Sequence, residues 1–267
     1  ELSSIILPSS ITTIGDYSFL GQKYLSTITI PSSVTTIQYH AFEQCSFTSI
    51  IIPLSVNSIK GWAFYNCTNL KTAVIAAGTI GESAFENNYL TSLTLTDNVF
   101  CIEKNAFSNS KNLVSVTIPG SVTDIGDCVF SSCQKLNSVT ILCKKTGDNT
   151  FFEDPLSYVI FGDKVKEIGK FAFEDCIDLT SISIPESIER IGAGAFMESG
   201  LTSIILNQKI KSIEGEMFRY TNLSSITIPV SIDTIKPLVF AECHSLETIY
   251  SYPVIPPVLS DSSIISF

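Results

Sequence analysis

Eleven phenylalanines recur through this chain with a nearly fixed period. Phe19, Phe42, Phe64, Phe85, Phe107, Phe130, Phe152, Phe173, Phe196, Phe218 and Phe240 are separated by 21 to 23 residues each time. A period of this length means one small structural unit, copied and stacked. Such an array grows linearly, and each unit leans on its neighbours instead of on one central core. The repeat therefore overrides any domain count taken from the length of 267 residues. It also favours extended surfaces over enclosed pockets.

Aligned on the phenylalanines, the unit reads L-x-x-I-x-I-P-x-S-V-x-x-I-G-x-x-A-F-x-x-C. The run from Leu25 to Cys45 is a nearly complete copy. Thr27-Ile28-Thr29-Ile30 alternates with period two and is β-branched throughout, which predicts a short strand with Ile28 and Ile30 inward. Proline closes this strand at Pro8, Pro31, Pro53, Pro119, Pro185 and Pro229, because it lacks the N–H a ladder needs. A second apolar pair, such as Val34/Ile37 or Ile188/Ile191, predicts a shorter extended segment on another side of the coil. Glycine follows at positions 15, 81, 126, 169 and 192, where a corner with positive φ is expected. The Ala-Phe pair then returns the chain with its phenylalanine inside, in one turn of 3₁₀ or α-helix. Stacked coils about 4.8 Å apart would line the phenylalanines into an internal column.

Hydrophobic residues make up 45% of the chain and charged residues 16%, ample apolar material for burial. The net charge of −10 is scattered. Such a charge discourages nucleic acid and anionic membrane surfaces, which need Lys/Arg patches. No apolar run reaches the length of about 18 residues needed to span a bilayer as a helix, and no signal peptide is present. The chain opens at Glu1-Leu2-Ser3 inside a repeat, so it reads as a segment of a longer protein.

The combination of L-x-x-I-x-I-P, V-x-x-I-G and A-F-x-x-C resembles the BspA-type leucine-rich repeats. The resemblance covers Leu2 to about Tyr250. It implies a right-handed solenoid of about eleven to twelve repeats, mainly short parallel β-strands with few or no helices. The array is placed at 1–250 and an irregular closing segment, containing Pro256-Pro257, at 251–267. The family consists of surface or secreted proteins of bacteria and parasitic protists. The resemblance thus implies a cell-surface or secreted location and adhesion to a host surface or extracellular-matrix protein.

The residues supply little for catalysis. The two histidines, His40 and His244, lie nine repeats apart, about 43 Å at the strand rise. Neither has the oriented base and oxyanion hole that a Cys-His nucleophile requires. Five of the eight cysteines, Cys45, Cys67, Cys133, Cys176 and Cys243, occupy one slot three residues after the phenylalanine. Gln22, Asn88, Ser110, Pro155, Ser199 and Thr221 fill it elsewhere. The slot is read as a tight inward turn in which reduced cysteine acts as a small hydrophobe; a disulfide between Cys45 and Cys67 on adjacent coils is the alternative. No C-x-x-C occurs, so no zinc site is expected, and no cofactor is implied. Asn66-Cys67-Thr68 and Asn222-Leu223-Ser224 match the N-glycosylation acceptor pattern.

The outward strand positions offer the best candidate for function. The first is Ser or Thr in every repeat except at Tyr158; the second mixes Thr, Ser and aliphatics, among them Thr140, Ile160, Ser183 and Ile205. Together they describe a flat, mostly uncharged, hydroxyl-lined sheet. Thr and Ser also suit strands on their own account, but a repeat sheet is equally a broad docking face for a protein. The segment Leu142 to Thr150, with Lys144 and Lys145, lacks the V-x-x-I pair before Phe152. It lies beside Tyr158 and Ile160, where hydroxyls are usual. An irregular loop next to exposed apolar side chains is where binding residues concentrate. Tyr158, Ile160, Ser183, Ile205, Thr140, Lys144 and Lys145 are therefore the predicted protein-binding set. A non-enzymatic adhesin-like module is expected; the alternative is a scaffold array that displays other domains of a longer protein.

Overall fold

The computed structural model describes residues 2–252 and 258–259. It divides into two compact units, Glu1–Leu136 and Asn137–Phe267. Each is a parallel β-solenoid, and among the described residues there is no helix. In the first unit, strand Ser49–Ile52 pairs with Thr72–Ile75, and Thr72–Ile75 with Ser92–Leu95, in a parallel register that brings like positions together. A second sheet runs from Thr13–Ile14 to Asp124–Ile125 and contains six two-residue strands. In the second unit, Ser138–Ile141 pairs with Tyr158–Phe161, while Ser181–Ser183, Ser203–Ile205, Ser225–Ile228 and Thr248–Ser251 form a separate ladder. Its second-sheet strands are Glu167–Ile168 with Arg190–Ile191, and Ser212–Ile213, Thr234–Ile235 and Val258–Leu259.

The alternation read from sequence is the alternation of burial. Strands Ser49–Ile52 and Ser225–Ile228 both run exposed, buried, exposed, buried. Behind them the phenylalanines stack ring on ring. Centroids are 4.7 Å apart for Phe64 and Phe85, 5.2 Å for Phe42 and Phe64, and 5.4 Å for Phe107 and Phe130. The second unit has its own column, from Phe151 through Phe173, Phe196 and Phe218 to Phe240. Each offset stack adds about 0.5–1.5 kcal/mol to simple burial.

One assignment is corrected here. The column residue of the irregular repeat is Phe151, fully buried and 5.4 Å from Phe173, and not Phe152, which is half-buried. With the phase moved by one residue, Cys143 and Thr146 fall at the V-x-x-I positions, and both are buried. Thr146 is polar where isoleucine is usual. Its hydroxyl accepts the Gly169 N–H at 2.8 Å, whereas the equivalent N–H one coil on, that of Gly192, bonds the backbone carbonyl of Ile168. The second sheet loses its regular strand here, leaving only a bridge between Lys145 and Glu167. The cysteine slot shifts likewise, from Pro155 to the buried Asp154.

The return segment is a succession of turns, so the expected helical turn is absent. Left-handed residues stand two before and two after each column phenylalanine: Tyr17 and Gly21 around Phe19, His40 and Gln44 around Phe42, Asn105 and Asn109 around Phe107. Among the described residues, twenty of these positions are not glycine. Alternate N–H groups leave the turn and bond the next coil, as Phe42 to Ala63 at 2.7 Å and Gln44 to Tyr65 at 2.9 Å. These bonds hold a conformation that costs an L-residue about 1–2 kcal/mol. The glycine before the return was expected to supply positive φ, and it does not. Its reason is closeness: a Cβ at Gly192 would lie 2.6 Å from the Lys170 nitrogen, and one at Gly81 2.7 Å from the Gly61 nitrogen. Adjacent coils touch backbone to backbone there.

Of the closing segment placed at 251–267, most, including Pro256-Pro257, lies outside the described residues. Val258–Leu259 pairs with Thr234–Ile235, in second-sheet register.

Candidate binding face

The first sheet of the second unit brings five of the seven predicted residues together. Ser138 sits opposite Tyr158 and Thr140 opposite Ile160 on paired strands. Ser183 sits opposite Ile205 on the next pair. All follow from the period-two alternation, since inward neighbours Val139, Ile182 and Ile204 are buried. The outward side chains are open: Tyr158 is 60% exposed, Ile160 43% and Ile205 81%. Strands Tyr158–Phe161 and Ser181–Ser183 belong to different ladders. Between them lies a groove of about 330 Å³ lined by Tyr158, Ile160, Ser181 and Ser183. A second, of about 580 Å³, follows over Ser183, Ser203 and Ile205. Phe161 and Val159 are only half-buried for the same reason, and Phe161 meets Phe173 edge-on at 6.2 Å.

Lys144 and Lys145 are not part of this face. They occupy outward positions of the second sheet, where Lys145 bridges to Glu167 and the Lys166 N–H bonds the Lys144 carbonyl at 2.7 Å. Sequence proximity to Tyr158 placed them in one patch; a single coil carries the chain from one sheet to the other within that distance.

The cysteine slot proves to be a hydrogen-bonding position. The Cys45 thiol donates to the Phe19 carbonyl at 3.0 Å, Cys67 to Phe42 at 3.1 Å, and Cys243 to Phe218 at 2.9 Å. Asn88, Ser199 and Thr221 donate to column carbonyls from the same place. The Cys, Asn, Ser and Thr side chains of the slot each carry a donor, and of these Ser110 alone leaves its hydroxyl without a partner among the described residues. All eight cysteines are free thiols. Burial pushes Cys45 and Cys143 up to about 11 and Cys67 well above the ordinary thiol range. Such thiols stay neutral and unreactive near pH 7.

His40 stacks between Tyr17 and Trp62, at 4.8 and 5.3 Å, and its Nδ1 meets Glu43 Oε2 at 2.5 Å. His244 Nε2 lies 3.4 Å from Glu242. Among the described residues no three of His, Cys, Asp and Glu converge as a metal site, and no helix is long and apolar enough to cross a membrane. An acidic ridge follows the left-handed positions of the second unit. Burial, then Glu198, Asp175, Glu216 and Glu153 in turn, raise the Glu174 carboxyl above its ordinary range. Asn66 has left-handed φ and is half-buried; Asn222 is exposed.

No curated protein matches this sequence. The family model for the BspA type leucine rich repeat region, of six copies, matches residues 1–79, 78–151 and 144–255. Among solved structures, the chain is similar to a leucine rich cell surface protein from Faecalibacterium prausnitzii A2-165, with 23% identity and TM-score 0.53 over 90% of both chains. It is also similar to a leucine-rich repeat protein from Bacteroides ovatus ATCC 8483, with 26% identity and TM-score 0.53 over 91% of this chain and 71% of that one. With the family model spanning nearly all of the described coils, the chain belongs to the BspA-type leucine-rich repeat family.

Proposed function

We propose that this chain is a non-enzymatic protein-binding module of a cell-surface or secreted adhesin-like protein. The observation that carries the reading is the first-sheet face of the second unit. There Tyr158, Ile160 and Ile205 stand exposed on a nearly uncharged ladder of hydroxyls, over two shallow grooves. Aromatic and aliphatic anchors ringed by small polar groups are what protein interfaces use at their centres. The cell-surface description of the Faecalibacterium protein supports the location. The partner fitting this face is a host surface or extracellular-matrix protein, and Asn66 and Asn222 carry N-glycans if a eukaryotic secretory pathway makes the protein.

The test is binding of the purified chain to immobilised extracellular-matrix proteins. Tyr158→Ala combined with Ile160→Asp is expected to reduce binding at least about tenfold, the loss of a typical anchor. Lys144→Glu with Lys145→Glu, on the other sheet, leaves it unchanged. Equal binding by the first double variant and the parent chain sinks the assignment.

A further inference from the structure

On the second sheet, strands Arg190–Ile191 and Ser212–Ile213 are neighbours that do not pair. Both flanks are tied normally. The Glu189 N–H bonds the Lys166 carbonyl at 2.8 Å and the Gly192 N–H bonds Ile168 at 2.9 Å. On the other flank, the Asp233 N–H bonds Lys211 at 2.9 Å and the Lys236 N–H bonds Ile213 at 2.9 Å. Between 188–192 and 209–214 no backbone hydrogen bond is formed among the described residues. The same two coils remain joined at the return turn, by Gly194 to Gly215 at 2.9 Å and Phe196 to Met217 at 3.1 Å. The column rings of these coils, Phe196 and Phe218, stay stacked at 6.0 Å, the same spacing as Phe218 and Phe240 in the next pair. The coils are hinged open on one side only.

The sequence supplies a cause. This coil has Asn207 where six others have proline, and the Asn207 amide donates to the Pro185 and Ile188 carbonyls at 2.6 and 2.9 Å. The Lys209 N–H turns back onto Asn207 Oδ1 at 2.8 Å. The first half of the coil is thus pinned and the second diverges. The opening is a groove of about 770 Å³, within the range of ligand clefts. By analogy with the flanking coils, the Ile191 carbonyl and the Lys211 and Glu214 N–H groups are the ladder groups that face it.

Charge narrows the occupant. Arg190 pairs with Glu167 at 2.7 Å, and Lys166 with Glu189 at 3.1 Å. Lys170, Lys209 and Lys211 also line the groove and make no ion pair within 4 Å among the described residues, although Lys209 lies near enough to Glu189 to help Lys166 hold its carboxyl low. Of the lining carboxylates, Glu214 is left, and it accepts the Ser212 hydroxyl at 2.6 Å. A chain of net charge −10 thus gathers three ammonium groups outside close ion pairs beside an open strand edge. An open edge pairs with an extended backbone, and ammonium groups flanking it select carboxylates.

We infer that this groove receives an extended acidic peptide segment of a partner protein, which adds a strand between Arg190–Ile191 and Ser212–Ile213. It is a second site, on a different sheet from Tyr158 and Ile160.

The experiment uses the full chain and a fluorescein-labelled peptide of alternating Glu and Val. Its controls are the same peptide with Lys for Glu, the acidic peptide N-methylated on alternate residues, and a heparin hexasaccharide. The acidic peptide should bind at least about tenfold more tightly than the basic one. Lys209→Glu with Lys211→Glu should cost about tenfold, the scale of two surface ion pairs. N-methylation should abolish binding. The amides of Lys211 and Glu214 should exchange quickly in the free protein and slow when peptide is added. Equal binding of acidic and basic peptides, no binding, or full binding of the N-methylated peptide overturns the proposal. So does heparin competition without amide protection, or amides at Lys211 and Glu214 as protected in the free chain as those of Asp233 and Lys236.

Discussion

The thiol of Cys67 donates a hydrogen bond to the carbonyl of Phe42, one coil earlier, at 3.1 Å. That carbonyl also accepts the Cys45 N–H at 3.2 Å, so the thiol is its second partner. Cys67→Ser keeps the donor and should cost under about 1 kcal/mol. Cys67→Ala removes it and leaves a small void, for about 1–2 kcal/mol. Chemical denaturation of the two variants measures the difference; equal losses would mean that the slot selects size alone.

Phe151 and Phe152 are adjacent, and only the first belongs to the column. Phe151→Ala should destabilise by about 3–5 kcal/mol, as for a buried aromatic, and Phe152→Ala by about 1 kcal/mol or less. Thermal melts decide it. The reverse order would return the phase to the one read from sequence.

Glycine at the coil contact answers to space. Gly192→Ala should destabilise by about 1–3 kcal/mol, because its methyl meets the Lys170 backbone. Gly15→Ala, with nothing within 4 Å of the added carbon, should fall within about 0.5 kcal/mol of the parent. A neutral Gly192→Ala would remove backbone contact as the reason for the motif.

The thiols impose a pH limit. An unfolded cysteine ionises near pH 8.5, whereas Cys45 and Cys143 do so at about 11 in the fold. Their contribution is complete below pH 8.5 and is lost as pH rises through 11. The melting temperature should therefore fall across that window, and less steeply in a Cys45→Ser, Cys143→Ser variant. Parallel curves for parent and variant would contradict it.

The acidic ridge works the other way. The Glu174 carboxyl is raised first by burial and then by its acidic neighbours, so its charged form is disfavoured in the fold. Stability should rise as pH falls from 7 through that raised value. Glu174→Gln should add roughly 0.3–0.5 kcal/mol at pH 7 in low salt, after solvent screening, and little in high salt. A variant less stable than the parent in low salt would refute this.

The sequence made the scaffold legible because its signals are local and repeated. Period-two alternation at Ser49–Ile52 and the phenylalanine spacing each appear many times, so errors average out. Where a position occurs once, that averaging fails. Phe151 and Phe152 are equally hydrophobic, and only packing against Phe173 separates them. Lys144 and Lys145 are near Tyr158 in sequence, but the coil turns between them. The open edge at Arg190 left no hydrophobic signature, since its cause is one side-chain amide at Asn207. The glycine motif was visible while its reason was not, because a contact between coils has no trace within one repeat.

The left-handed residues beside each column phenylalanine have a further consequence. Their backbone is set by bonds to the next coil, so most of the side chains they carry are spared from core packing and run along the outside as rails. Like chemistries gather on them: rings at Tyr17, His40 and Trp62, amides at Asn66, Asn87 and Asn109, acids at Glu153, Asp175 and Glu198. Duplicating a coil would add one rung to each rail without rewriting any other, so the molecule can lengthen a stripe of chosen character by copying alone.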